Sequence, residues 1–311
     1  MRYLICLLML CLVPAIFSIA PASARPDMTP LGKNIADTGS AWYHFTTRQF
    51  SSADGKRHYQ VWIGTPRKAV PGGYPVLYLL DGNAVMSHLD DPLLGRLSQG
   101  TPPVIVAVGY RGNLPFDRKG RSYDYTPPGS IDTPGEQRDR VYGGSREFLA
   151  LLRDSIIPGA EQGIVVNPAR RGIWGHSYGG LLVLDAWLHS KCFTRYYSAS
   201  PSFWQGNFRQ VDQLRQQPAA DPSARLFLME GAEVQRGRGI PVGVRWRTTA
   251  QIVSQLREAG KTFTLINYPG LSHGTMFPTS AEGAMLDVAG VVPLTPSPAP
   301  LPTPGTAIVN Q

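Results

Sequence analysis

The pentapeptide Gly175-His176-Ser177-Tyr178-Gly179 restricts the fold of this chain more than any other feature. A short apolar run at residues 173–174 precedes it, and a helical pattern of small and aliphatic residues follows from 180 to 188. A serine with glycines two positions before and after it, between a strand and a helix, is typical of a nucleophile elbow, a strained turn that exposes the serine hydroxyl. The turn also brings the Tyr178 N–H to a helix N-terminus, where an oxyanion is stabilised. We predict Ser177 as a nucleophile and the Tyr178 N–H as an oxyanion donor.

The rest of the pattern predicts an α/β fold. Unbroken apolar runs are typical of strands buried on both faces. Predicted strands cover 76–80, 104–108, 173–174, 195–200, 225–229 and 262–268, and predicted helices cover 146–157, 210–216 and 247–259. The first of these helices should end before Pro158. Residues 42–50 and 57–63 alternate around Asp54-Gly55, which predicts an antiparallel hairpin at the edge of a mostly parallel central sheet with helices on both faces.

The two ends of the chain have different compositions. Residues 1–24 combine Arg2, an apolar run and an Ala-x-Ala site, which predicts a signal peptide cut after Ala24 and export to the periplasm without stable membrane insertion. Residues 25–40 form a lead-in, residues 41–291 the catalytic domain, and residues 292–311 a proline-rich segment expected to be a disordered tail. Cleavage would leave Cys192 as a lone cysteine, which excludes an intramolecular disulfide.

The charge balance restricts the class of partner. The chain carries a formal net charge of +8 over 311 residues, which fits nucleic acid, anionic lipid or an anionic small molecule, or solubility alone. Its arginines are scattered along the sequence and form no basic helix face, which disfavours nucleic acid and membranes. An anionic small molecule is the partner that we expect.

A serine hydroxyl needs a base to take its proton. His273 lies in a glycine-rich loop after the last predicted strand, which is the position of the base when the chain order is serine, acid, histidine. The acid should follow the strand at 225–229. We predict Glu233, which lies past the strand end, over Glu230, which could instead bond to backbone. A third possibility is a Ser177–His273 pair that works without an acid.

A second oxyanion donor should come from the loop after the third strand. There the chain reads Leu80-Asp81-Gly82-Asn83, and a glycine allows a tight turn. We predict the Asn83 N–H as this donor, with Gly82 as the alternative.

Several motifs together carry a family resemblance. They are Leu79-Leu80-Asp81-Gly82-Asn83, Val108-Gly109-Tyr110-Arg111, Tyr123-Asp124-Tyr125-Thr126-Pro127, the elbow, Ser198-Ala199-Ser200-Pro201-Ser202-Phe203-Trp204 and Ser272-His273-Gly274, in this order. The chain from about residue 42 to 287 resembles the putative-esterase branch of the α/β-hydrolases, near the esterase D relatives and closest to periplasmic trilactone esterases of catecholate siderophores. The resemblance implies an α/β-hydrolase fold and a serine esterase without metal or cofactor. It carries over Ser177 and His273 but not Glu233, because some members work with a dyad and the stretch Met229-Glu230-Gly231 is similar to theirs.

The resemblance also implies a substrate. A ferric catecholate siderophore is an anionic aromatic ester, which arginines and aromatic rings can bind. Arg111 follows a central strand and resembles the substrate arginine of the family, Arg118 and Arg121 lie in a long loop, and Trp204 follows the strand after the elbow helix. Two alternatives stay open: a carbohydrate or feruloyl ester hydrolase on the same scaffold, and a siderophore-binding protein without catalysis.

Overall fold

The computed structural model describes residues 27–131, 139–203, 208–231 and 249–296. The predicted signal peptide, Glu233, Trp204 and the tail from residue 297 onward lie outside these residues.

In the described part of the chain, eight strands form one mixed sheet in the order β1-β2-β4-β3-β5-β6-β7-β8. The strands are β1 Tyr43–Ser51, β2 His58–Pro66, β3 Tyr74–Leu80, β4 Val104–Tyr110, β5 Val166–His176, β6 Arg195–Ala199, β7 Arg225–Gly231 and β8 Thr264–Tyr268. Strands β1 and β2 pair as an antiparallel hairpin, β2 pairs antiparallel with β4, and the other neighbours are parallel. The predicted edge hairpin and the mostly parallel sheet are confirmed.

Helices lie between the strands. They are α1 Ile35–Thr38, α2 Gly82–Met86, α3 Asp91–Ser98, α4 Arg118–Asp124, α5 Ser145–Leu151, α6 Ile157–Glu161, α7 Tyr178–His189, α8 Phe208–Gln216, α9 Thr249–Glu258 and α10 Met276–Ala289. None of the described helices is long and apolar enough to cross a membrane.

Two apolar clusters cover the two faces of the sheet. Strand β3 shows the division, because Tyr78 and Leu80 belong to one cluster and Leu77 and Leu79 to the other. Successive side chains of a strand point to opposite faces, so the clusters lie on opposite sides. The first cluster packs under α5, α7, α8 and α9, and the second under α2, α3 and α10. The prediction of helices on both faces is confirmed.

Some elements differ from the sequence prediction. The helix predicted to end before Pro158 continues through it, because a π-helical stretch, Leu152–Ile156, joins α5 to α6 and Pro158 lies in the first turn of α6. A proline in a first turn sacrifices no helical hydrogen bond. Arg118 and Arg121 lie on the short helix α4 and not in a loop, because Asp117 caps its first amides. At the C-terminal end, the Leu294 N–H donates to Asp287 Oδ1, so the chain contacts the domain at least as far as Leu294.

Candidate active site

The carboxyl ends of the parallel strands meet at one edge of the sheet, and backbone strain collects there. Three non-glycine residues have a positive φ in the described chain: Asp81 at 54°, Ser177 at 61° and Ser200 at 38°. Each follows directly after a strand, β3, β5 and β6 respectively. Strained residues cluster at functional sites, and open α/β sheets bind ligands at this edge. These three turns are therefore the candidate functional site.

The turn at Ser177 has the geometry of a nucleophile elbow. Ser177 has φ 61° and ψ −114° and lies between the end of β5 and the start of α7. A Cβ at Gly175 would overlap the carbonyl group of Gly179, so the turn requires a glycine there. The first helical hydrogen bond runs from Leu181 N to Ser177 O. The Tyr178 N–H consequently belongs to the first turn of α7, where amides point out of the helix.

The Ser177 hydroxyl has a serine partner. Ser177 Oγ and Ser202 Oγ are 2.7 Å apart, and the Ser202 N–H donates to Ser177 O over 3.3 Å. Among the hydrogen bonds of the described residues, none joins Ser177 Oγ to His273. The Ser177 hydroxyl is therefore held by the loop after β6.

His273 lies beside the elbow through contact with His176. Their ring centroids are 4.5 Å apart, and His176 Nε2 donates to the carbonyl oxygen of His273 over 2.8 Å. Phe277 at the start of α10 lies edge-on to the His176 ring, with centroids 5.7 Å apart. The buried His176 thus attaches the loop of the predicted base to the end of β5.

Both imidazoles are neutral in this setting. Burial, and then the Arg121 cation, lowers the pKa of His273 from 6.5 to about 4. Burial, His273 and Arg121 lower the pKa of His176 well below its ordinary value. A neutral imidazole can accept a proton, so His273 is in the protonation state that a general base requires.

The predicted oxyanion turn is fixed by the Asn83 side chain. Asn83 Oδ1 accepts from Tyr110 N over 2.8 Å, and Nδ2 donates to the carbonyl oxygens of Tyr110 and Gly112 over 3.0 and 3.1 Å. Gly109 lies so close that a Cβ there would overlap the Asn83 side chain. The first helical bond of α2 runs from Val85 N to Asp81 O, so the Gly82 and Asn83 N–H groups both belong to its first turn.

Arg121, predicted as a substrate-binding residue in a loop, pairs instead with a buried carboxylate. Its side chain is 13% exposed and binds the Asp81 carboxylate through Nε and Nη2 over 2.9 and 2.8 Å. Burial lowers the pKa of Arg121, but Asp81 and nearby tyrosines offset this, so the pKa lies above its ordinary value. Arg111, by contrast, is exposed directly after β4, and Arg118 is half-buried at the start of α4.

Glu230 is engaged at the end of β7. Its Oε1 accepts from Ser200 Oγ over 2.7 Å and from Gly231 N over 3.1 Å. These two contacts fix the Glu230 carboxylate against the end of the strand. Glu233, the predicted acid, lies outside the described residues.

Sequence reasoning missed three groups at this edge: Asp81, His176 and Ser202. Each lies in a motif that the sequence does display, but none has a partner close in sequence. Their partners are Arg121, His273 and Ser177, which lie 40, 97 and 25 positions away. In the described part of the chain, no group of three or more His, Cys, Asp or Glu side chains has the arrangement of a metal site.

Comparison with known proteins gives the family. The family model described as "Putative esterase" matches residues 52–259. The apo-salmochelin esterase of Escherichia coli O6:H1 is 45% identical over 297 residues, which cover 93% of this chain and 90% of that protein. The solved structure of the enterobactin and salmochelin hydrolase IroE matches with a TM-score of 0.70 and 44% identity, over 82% of this chain and 99% of that one. A structure of IroE in complex with DFP matches with a TM-score of 0.71, with the same identity and coverage. The chain therefore belongs to the putative esterase family and is a carboxylic ester hydrolase.

Proposed function

We propose that this chain is a serine esterase that hydrolyses the ester bonds of catecholate siderophores of the enterobactin and salmochelin type. The observation that carries the proposal is the 45% identity to an apo-salmochelin esterase across 93% of the chain. The strained Ser177 turn beside a neutral His273 supports the same chemistry independently. Hydrolysis of a trilactone would release its arms from one preorganised ring and weaken iron binding.

In the proposed reaction, Ser177 is the nucleophile and His273 the base. The Ser177 hydroxyl passes its proton to His273 as Oγ attacks the ester carbonyl. The Tyr178 and Asn83 N–H groups stabilise the oxyanion, with Gly82 N–H as the alternative to Asn83. The protonated His273 then gives its proton to the leaving alkoxide, and an ester forms between Ser177 and the acyl group. Water activated by His273 hydrolyses this acyl-enzyme and restores the free serine.

The orienting acid of His273 is a separate proposal. Glu233 follows β7 and could accept a hydrogen bond from the imidazole. Glu230 is the weaker candidate because Ser200 and Gly231 already donate to its carboxylate. A Ser177–His273 pair without an acid is the remaining alternative.

The substrate-binding groups belong to the proposal as well. Arg111 is exposed just past the end of β4, at the sheet edge that carries Ser177, which suits an anionic ligand. Arg118 at the start of α4 could add a second cation, and Trp204 an aromatic face. Arg121 was expected to join them, but its guanidinium is committed to Asp81. We also propose that residues 1–24 export the chain to the periplasm, where an iron-loaded siderophore would meet it.

The test is a comparison of substrates with the purified chain. Iron-loaded and iron-free catecholate trilactone, ethyl ferulate and an acetylated sugar are each supplied, and products are separated and identified by mass spectrometry. A kcat/KM for trilactone at least about 100-fold above those of the other esters would support the proposal, since such selectivity needs several specific contacts. Preference for the ferulate or sugar ester would favour the second hydrolase hypothesis. Fluorescence quenching by ferric siderophore with no cleavage would favour a binding protein.

A further inference from the structure

We infer that Arg121 is a positioning residue that sets the separation of the two amides of the oxyanion hole. It acts through Asp81 on the turn that carries the Asn83 N–H and through His176 on the turn that carries the Tyr178 N–H. The inference rests on the proposed function, because it assumes that these two N–H groups stabilise the oxyanion formed by attack of Ser177.

The first of the two contacts of Arg121 is with Asp81. The Arg121 guanidinium binds both oxygens of this carboxylate, and the side chains are 13% and 1% exposed. Asp81 has a strained backbone, with φ at 54°, and lies two positions before Asn83. Its N–H bonds to the hydroxyl of Tyr125 over 3.2 Å. A fork-to-fork contact of this kind fixes direction as well as distance, which a lysine cannot do.

The second contact of Arg121 is with the elbow. Arg121 Nη2 donates to the carbonyl oxygen of His176 over 3.4 Å, and His176 lies two positions before Tyr178. The guanidinium carbon also lies 5.4 Å from the ring centroid of Tyr178 itself. One side chain on α4 therefore contacts both strand ends whose next turn supplies a proposed oxyanion donor.

The surroundings of Arg121 fit this role better than contact with substrate. Its guanidinium lies over the rings of Phe116 and Tyr125, with 5.4 and 5.6 Å to the centroids. Its charge is balanced by Asp81, so the pair offers an anionic ligand little net attraction. Such a pair organises its neighbours, and an error of about 1 Å in a catalytic geometry can cost about 100-fold in rate.

The charge of Arg121 supplies a readout that simple packing would not move. The charged and titratable groups that interact with His273 in the described chain are His176 at the end of β5 and Arg121 on α4, whose partner is Asp81. The Arg121 cation is one of the causes that lower the pKa of His273. Without this cation the His273 pKa should rise, and the acidic limb of the pH profile should move to higher pH.

The experiment uses the full chain and two substrates, neutral p-nitrophenyl acetate and the anionic catecholate trilactone. The variants are Arg121→Lys, Arg121→Gln and the charge-neutral pair Asp81→Asn/Arg121→Gln. Lys119→Gln is the control, because it removes a cation from the same helix. The Lys119 side chain is 69% exposed and pairs only with Asp139 among the described residues. Melting temperature and circular dichroism give the folded fraction, and rates are expressed per folded molecule.

We expect kcat to fall about 10- to 100-fold for both substrates in all three variants, as for a displaced oxyanion donor, with KM changed by less than about threefold. The acidic limb should move to higher pH in Arg121→Gln and stay in place in Arg121→Lys. The inference is overturned if the loss is confined to the KM of the trilactone, which would make Arg121 a substrate-binding residue. It is also overturned if the neutral pair has wild-type kcat, or if Arg121→Gln loses activity with an unmoved acidic limb.

Ser177→Ala in the same assay separates this inference from the proposed function. If Ser177→Ala is inactive and Arg121→Gln has wild-type kcat, only the inference on Arg121 fails. If Ser177→Ala retains activity, the proposed function fails whatever Arg121 does.

Discussion

His176 Nε2 donates to the carbonyl oxygen of His273 over 2.8 Å, so the residue before the proposed nucleophile holds the loop of the proposed base. The carbonyl group can only accept, so Nε2 carries the proton of the neutral His176 ring. This bond joins two loops that lie 97 positions apart in the sequence. It holds the His273 loop against the end of β5.

His176→Phe should weaken this attachment, since phenylalanine keeps a ring against Phe277 but donates no hydrogen bond. We expect kcat to fall about tenfold and the free energy of unfolding to fall by about 1–2 kcal/mol, because the His273 carbonyl loses its buried donor. Steady-state kinetics and urea unfolding measure both quantities. His44→Phe on the exposed face of β1 is the matched control and should change neither. Wild-type values for His176→Phe would contradict this role.

The pH dependence of activity should reflect the lowered pKa of His273, which burial and then Arg121 bring from 6.5 to about 4. Because the neutral imidazole is the proposed base, kcat/KM should fall only as the pH drops through about 4. A pH–rate profile with a neutral ester checks this. An acidic limb centred near 6.5 would show that His273 is not held in this environment.

Stability should respond to acid in the same direction. Unfolded His273 binds a proton near pH 6.5 and the folded residue only near pH 4, so the unfolded state carries more protons in between. The contribution of neutral His273 to the free energy of unfolding is complete above about pH 6.5 and is lost as the pH falls towards 4. The lowered pKa of His176 acts in the same sense. Urea unfolding across this range should show stability declining with acid.

Ser202→Ala tests whether the 2.7 Å contact between Ser202 Oγ and Ser177 Oγ is part of the chemistry. The proposed reaction gives Ser202 no part in proton transfer, so loss of this hydrogen bond should change kcat by less than about tenfold, the worth of one neutral hydrogen bond. A loss of 100-fold or more would place Ser202 in the catalytic machinery and contradict the mechanism. Stopped assays with the neutral ester suffice for the comparison.

Glu230→Gln and Glu233→Gln are matched variants that test which carboxylate orients His273. The amide oxygen introduced by Glu230→Gln could still accept from Ser200 and Gly231, so this change should lower kcat by less than about threefold. Glu233→Gln should lower kcat by about 100-fold or more if Glu233 orients His273. The reverse order would make Glu230 the acid, and wild-type kcat in both would leave a Ser177–His273 pair.

Features with a local cause were predictable from the sequence. The runs in β3 and β4 are apolar because both faces of the sheet are covered, and the elbow needs Gly175 because a Cβ would overlap the next helix. The edge hairpin follows from alternation around an Asp-Gly turn. These elements and the placement of Ser177 after β5 required no knowledge of distant contacts.

Features that depend on distant contacts were not predictable. Arg121 could be assigned to a substrate loop because nothing near it in sequence indicates the Asp81 carboxylate 40 positions away. The prediction that the helix ends at Pro158 was wrong because a π-helical stretch moves the proline into a first turn. The identity of the acid at Glu233 stays a prediction for the same reason, since a loop carboxylate is assigned by its spatial neighbours.

The most direct test of the central claim is the mass analysis of catecholate trilactone incubated with the wild-type chain and with Ser177→Ala. We predict that the wild type opens the trilactone to a linear product heavier by one water, and that any further cleavage gives fragments whose summed mass exceeds that of the trilactone by one water per bond cleaved. Ser177→Ala should do so at least about 10,000-fold more slowly, as is usual when a serine nucleophile is removed. Cleavage by Ser177→Ala at the wild-type rate would contradict the account.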